Sequence, residues 1–319
     1  MSAVVGTGSS PGDGAEVAVV ATGEVTFTPP LHVDQLFGHL AATAVPGVEG
    51  WADGALLRAL SLPSGPGVVR AHLPAEGAVS LRLDLLAGAA ADLQHAADAV
   101  RWWLDLDADP AVADEVLAGD ADLAPLVAAA PGRRVPRSLS AAETAVRAVL
   151  GQQVSTAAAR THTARLVAGH GEPLPTPVAG LTHLFPSPAR LAALVAEELA
   201  LPRSRQQTLL GLVAALGDGL LDLPPGRPTP SLTAEHLTAL RALPGVGPWT
   251  ASTVALRGLG DDDAFLPSDL GALAAARSLG LAQDARGLER RSADWSPVRG
   301  YALQHLWGTL PHAVNRLPG

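Results

Sequence analysis

Two short stretches hold residue types that could do chemistry. Leu243-Pro-Gly-Val-Gly-Pro-Trp-Thr250 packs two glycines into one turn, and Leu266-Pro-Ser-Asp269 ends on a carboxylate. A glycine-rich turn that opens a helix leaves unpaired backbone N–H groups, which suit an anion and most often a phosphate. A fixed carboxylate in a partly dry pocket stabilises developing positive charge or orients a water. Each feature also has a plainer use: the glycines can serve an αα-turn, Asp269 or Ser268 can cap the next helix, and a tryptophan can fill a core.

The surrounding pattern predicts elements that position both stretches. Leu237, Leu240 and Leu243 lie at helical spacing, so a helix over residues 233–243 ends against Pro244, and Gly247-Pro248 suits the entry of another. A further helix runs over residues 270–279. Upstream, Ser140-Ala-Ala-Glu143 reads as a capping box opening a helix with Ala145, Val146, Val149 and Leu150, which reaches Gly151-Gln-Gln-Val-Ser155. Residues 156–168, 188–198 and 203–216 read as helices, with Gly217 as a stop, and residues 223–230 as a Pro-rich loop. From Ser138 onward the signals are almost purely helical. Before that, residues 25–28, 68–73 and 79–85 read as strands of one antiparallel sheet, and residues 34–45 and 89–106 as helices.

The fold class is therefore α+β: an N-terminal antiparallel sheet with helices, then an all-α core. The expected division is a flexible tail at 1–15, an α+β domain at 16–108, a helical domain at 139–258, and a second helical domain from 109–138 plus 259–319. A cleft separates the two helical domains.

Composition narrows the chemistry. Cysteine is absent, which excludes thiol nucleophiles, disulfides and iron–sulfur clusters. Lysine is absent too, so all 22 basic side chains are arginine and no ε-amine can form a Schiff base. The net charge of −9 argues against nonspecific nucleic-acid binding and leaves room for a local arginine-lined groove. The acidic stretches 105–122 and 261–263 are expected to be solvated surface. No apolar run suits a membrane span and no signal peptide is evident, so a cytoplasmic location is expected.

Leu243-Pro-Gly-Val-Gly-Pro-Trp-Thr-Ala251, Ala255-Leu-Arg-Gly258 and Phe265-Leu-Pro-Ser-Asp269 together resemble the helix-hairpin-helix DNA glycosylases, and most closely the DNA-3-methyladenine glycosylase II (AlkA-type) family. Ala148-Val-Leu-Gly-Gln-Gln-Val-Ser155, Phe185-Pro-Ser-Pro-Ala-Arg-Leu191 and Trp295-Ser-Pro-Val-Arg-Gly-Tyr-Ala-Leu-Gln-His-Leu-Trp307 resemble its segments in the same order. The resemblance spans residues 27–307. It implies a helix-hairpin-helix core at 139–258 and excision of alkylated bases (3-methyladenine, 7-methylguanine) from double-stranded DNA by hydrolysis of the N-glycosidic bond.

Under that resemblance Asp269 is catalytic, and Trp249, Trp307 and Thr253 line the base pocket. Gln153 is the wedge, and Gly245, Gly247, Trp249 and Arg205 hold phosphates. Leu243 and Val246 carbonyls receive a monovalent cation (Na or K), with no cofactor required and a monomeric protein expected. Trp295 and Tyr301 are structural. Two positions depart from the family pattern: Gln153 stands where a bulky apolar wedge is usual, and Thr253 where some members have an aromatic. Trp249 occupies the position of the lysine that strand-cutting relatives use, so the expected enzyme removes bases without cutting DNA. A glycosylase for deaminated or oxidised purines, and a noncatalytic DNA-binding module, remain alternatives.

Overall fold

A computed structural model describes residues 17–223 and 226–318. The tail expected at 1–15 lies outside the described residues, as do residues 224–225 of the Pro-rich loop. The N-terminal part comprises β1 (Ala21–Thr26), α1 (Val33–Thr43), β2 (Glu49–Ala52), β3 (Ala55–Leu62), β4 (Gly65–His72), β5 (Ser80–Ala87) and α2 (Leu93–Trp103). Its five strands form an antiparallel sheet in the order β1-β5-β4-β3-β2.

β2 and β3 were not expected from the sequence, and β3 shows why. Its residues Ala55–Leu60 are all buried, and apart from Arg58 they form an apolar run and not an alternation. One face, with Leu56 and Leu60, packs under α1 and α2 beside Phe37 and Trp103. The other, with Leu57 and Ala59, is covered by Leu174, Leu181 and Leu184.

Those three leucines belong to a structure that corrects the helical expectation after Ser138. After α3 (Pro110–Ala118), α4 (Ala124–Ala129), α5 (Ala141–Gly151) and α6 (Thr156–His170), the chain forms a two-stranded ribbon of β6 (Glu172–Val178) and β7 (Leu181–Leu184). Pro173, Pro175 and Pro177 cannot donate to a ladder, which hid the strand and suits it to a ribbon without inner strands. The expected helix over 188–198 is instead the short α7 (Pro188–Leu191) followed by a 3-10 turn at Ala196–Glu198.

The remaining helices are α8 (Arg203–Gly217), α9 (Pro230–Ala242), α10 (Pro248–Thr253), α11 (Leu270–Ser278), α12 (Ala285–Ser292) and α13 (Arg299–Gly308). One apolar core gathers α5, α8 and α9; another gathers α3, α4, α11, α12 and α13. The segment from α10 through a π-helical turn at Val254–Gly258 feeds both, with Ala251 and Val254 in the first core and Ala255 and Leu256 in the second. No described helix is long and apolar enough to cross a membrane.

The acidic stretches are not merely solvated, which corrects a second expectation. Asp105 is buried and accepts from Arg137, the Tyr301 hydroxyl (2.8 Å) and Val135 N–H. Asp262 and Asp263 pair with Arg137 and Arg299. Trp295 is buried with its indole N–H on Asp120 (2.8 Å).

Candidate active site

The turn between α9 and α10 is built around Gly245, whose φ of +83° lies in the left-handed region. A Cβ there would also fall 1.9 Å from Thr208 Oγ1 on α8, so conformation and packing both require glycine. Gly247, the N-cap of α10, differs: a Cβ would meet no atom within 4 Å. Leu243 caps α9, and its carbonyl accepts from Val246 N–H at 3.1 Å. Arg205 lies one turn before Thr208 on α8, half-buried and apart from the residues that line the cavity and groove described below.

Gln153 sits at the exposed tip of the α5–α6 connection with φ +56°, a left-handed conformation that costs a non-glycine residue about 1–2 kcal/mol. Its neighbour Gln152, to which the sequence reading gave no role, fastens this tip to the hairpin. The Gln152 amide donates to Gly245 O (3.2 Å) and to Thr250 Oγ1 (3.0 Å).

The other end of α5 is held as firmly. Ser140 caps the helix by accepting from Glu143 N–H (3.2 Å), but the capping box is only half formed. The Glu143 carboxylate takes a bidentate pair from buried Arg58 on β3 (3.0 and 2.5 Å) and a bond from Arg147 (2.9 Å). Glu49 joins the same network. Arg147 and Arg58 hold the Glu49 carboxyl below the usual range against a burial effect that raises it.

Asp269 lies where the two helical cores meet. It is the N-cap of α11, with Oδ1 accepting from Ala272 N–H at 3.0 Å. That oxygen also accepts from Trp307 Nε1–H (2.8 Å), while Oδ2 accepts from Trp249 Nε1–H (3.0 Å). Capping and a free-standing chemical role are thus not alternatives, since the same carboxylate caps the helix and is clamped between two indoles. Gly271 permits the clamp: a Cβ there would crowd Asp269 Oδ1 and Trp307 Cδ1 at 3.2 Å each.

Behind Asp269 opens a cavity of about 420 Å³ lined by Trp249, Thr253, Arg257, Trp307 and His39 among others. In front of it runs a wider groove of about 1070 Å³ lined by Gln152, Gln153, Gly245, Gly247 and Ser268. Trp249 and Asp269 border both. The Thr253 hydroxyl is used within the helix, donating to Trp249 O at 2.8 Å. The structure therefore brings Asp269, Trp249, Trp307 and Thr253 together, and joins them to Gln153, Gly245 and Gly247 along one groove.

Arg257 was missed as a site residue although it stands within a quoted motif. Trp249, Thr253 and Arg257 follow at intervals of four, a helical spacing that could have revealed the shared wall. Its guanidinium lies over the Trp307 ring, 5.5 Å from the centroid. Burial, with Arg137 and Arg147 nearby, lowers the Arg257 guanidinium to about 10, Asp269 opposing. His39 is held well below 6.5 by burial and then by Arg257 and Arg147, so it is uncharged at neutral pH. Among the described residues, no group of three or more His, Cys, Asp or Glu is arranged to hold a metal ion.

Residues 22–140 match the family model of the AlkA N-terminal domain. The chain is 48% identical over 307 residues to the probable bifunctional transcriptional activator/DNA repair enzyme AlkA of Mycobacterium tuberculosis, covering 95% of this chain and 60% of that protein. It thus spans about three-fifths of the length of the first such relatives. It is 35% identical over 290 residues to DNA-3-methyladenine glycosylase 2 of Escherichia coli, covering 89% of this chain and 96% of the relative. Among solved structures, the 3-methyladenine DNA-glycosylase from Archaeoglobus fulgidus superimposes with a TM-score of 0.73 at 20% identity, over 90% of this chain and 97% of the other. The apo 8-oxoguanine glycosylase/lyase of Clostridium acetobutylicum gives 0.60 at 16% identity, over 82% and 98%. At these identities the structural matches show a shared fold.

Proposed function

The chain belongs to the DNA-3-methyladenine glycosylase 2 family, and on that premise we propose that it is a monofunctional DNA glycosylase acting on alkylated bases in duplex DNA. The observation that carries the reading is the Asp269 carboxylate, clamped by two indole N–H groups at the border between the cavity and the groove.

A base within a duplex cannot be reached, so its nucleotide must be extruded at a cost on the order of a few kcal/mol. In this reading the backbone lies in the groove, and the hairpin amides of Gly247 and Trp249 hold a phosphate close against Gly245. The open space over Gly247 supports this close approach. Arg205, one turn before Thr208 on α8, would take a neighbouring phosphate, and the hairpin carbonyls of Leu243 and Val246 would hold a Na or K ion, which would supply positive charge toward the DNA backbone. Gln153 fills the vacated stack, its amide able to hydrogen-bond the orphaned partner base. The extruded base enters the cavity between Trp249 and Trp307, whose faces favour a cationic methylated purine.

As the glycosidic bond lengthens, the base leaves with the bonding pair and the deoxyribose develops oxocarbenium character. Asp269 stabilises that charge and guides the water that adds to the sugar carbon. A base already carrying positive charge leaves without a dedicated acid. With no lysine in the chain, the product is an intact strand with an abasic site.

The test is release of methylated bases from methylated duplex DNA, with strand scission measured in parallel. Wild type should release bases without cutting, and Asp269→Asn should bind an abasic duplex yet release nothing measurable. Equal release by both proteins would remove Asp269 from the chemistry. Binding without release by wild type would favour a noncatalytic module.

A further inference from the structure

Three arginines border the cavity, and two are neutralised. Arg137 pairs with Asp105 and Asp262 at 3.0 and 2.5 Å, and Arg147 pairs with Glu49 and Glu143 at 3.1 and 2.9 Å. Arg257 differs. Among the described residues no carboxylate lies within ion-pair distance, and its one hydrogen bond is from Nη1 to Pro136 O at 2.9 Å. The remaining guanidinium N–H groups have no protein acceptor, and the Trp307 ring holds the group beside the cavity. Unused donors on a guanidinium at a cavity wall are available to an acceptor that arrives with a ligand.

Three of the other polar groups on the wall are committed elsewhere. The Gln304 carboxamide oxygen accepts from Gln35, the Asn315 amide donates to Trp307 O and Leu310 O, and the Thr253 hydroxyl donates to Trp249 O. The π-helical turn that carries Arg257 adds a second sign, since such widened turns recur at functional sites.

We infer that Arg257 is a specificity-determining residue that donates to a carbonyl oxygen of the extruded base, favouring guanine-type over adenine-type lesions. A guanidinium has donors only; a guanine-type base offers O6 as acceptor, where an adenine-type base offers an amino group that is itself a donor. The inference rests on the glycosylase reading, since it supposes a base in this cavity.

One methylated duplex contains both 7-methylguanine and 3-methyladenine. Both are cationic in DNA, so the charge on Arg257 acts on them alike and the ratio of their release isolates the hydrogen bond. Single-turnover release of each is measured for wild type, Arg257→Met and Arg257→Gln in the full chain. Losing a charge-assisted hydrogen bond should lower 7-methylguanine release by about tenfold or more relative to 3-methyladenine in Arg257→Met. Arg257→Gln, which keeps neutral N–H donors, should recover part of the ratio. Release of 3-methyladenine by each variant reports a folded enzyme, and if Arg257→Met melts early the Arg257→Gln ratio decides. An unchanged ratio, or parallel loss of both bases, would overturn the inference. Release of neither base by wild type would instead overturn the glycosylase reading.

Discussion

Trp307→Phe separates two uses of one side chain. Phenylalanine keeps an aromatic face toward the cavity but deletes the indole N–H that meets Asp269 Oδ1 at 2.8 Å. A hydrogen bond to a charged group contributes about 1.5–3 kcal/mol. Here Oδ1 keeps the Ala272 amide and Oδ2 keeps Trp249, each at 3.0 Å, so the carboxylate stays anchored and only part of that energy is lost. Two effects then oppose each other. A freed Oδ1 directs more negative charge at the sugar, while the carboxylate gains freedom to rotate. Positional freedom should win, because a misplacement of about 1 Å can cost about 100-fold in rate. The expected barrier rise is about 1–2 kcal/mol, or roughly 5–30-fold in kcat, with KM little changed. Base release under single-turnover and steady-state conditions reads both constants. An unchanged kcat with a raised KM would mean instead that the indole acts through its face alone and that its N–H does not position the carboxylate.

Other positions give equally direct tests. Gln153→Gly relieves the +56° backbone and should raise stability by about 1 kcal/mol in chemical denaturation, while release from duplex DNA falls because nothing fills the stack. Gly245→Ala adds a Cβ against Thr208 at a positive φ, so it should lose about 2 kcal/mol or more and weaken binding to an abasic duplex. Burial and then the nearby arginines depress His39 in the folded protein, so the unfolded chain binds the extra proton below about 6.5. Stability should therefore be flat above that pH and fall as pH drops from about 6.5 toward 5. His39→Gln should flatten the decline in thermal melts, and an unaltered slope would assign it to other groups.

What the sequence shows of this molecule depends on how far apart the cooperating residues lie. The hairpin and Asp269 were legible because turn chemistry and capping are local, and the twin glycines and Leu-Pro-Ser-Asp carry their geometry within a few residues. The clamp on Asp269 was not, since its indoles come from 20 and 38 residues away and tryptophan gives no sign of where its N–H will point. Gln152 looked like a turn residue because its partners on the hairpin are 93 and 98 positions on. Glu143 fitted a capping box by spacing, but a buried guanidinium 85 residues upstream outcompeted the helix end for its carboxylate. β3 escaped because both its faces are covered, and β6 because three prolines mask a strand.

The length of α5 has a mechanical meaning. Its N-terminal turn is locked to the sheet through Glu143 and Arg58, and its C-terminal end carries Gln152 and Gln153 to the groove. Eleven residues make a strut of about 16 Å, so a tilt of about 5° at the buried end swings the tip by about 1.4 Å. The sheet, which supplies no residue of the hairpin or the clamp, thereby sets the alignment tolerance of the groove. A change made deep beneath it, at Arg58, would be felt at the tip as lost register between Gln153 and the Asp269 carboxylate.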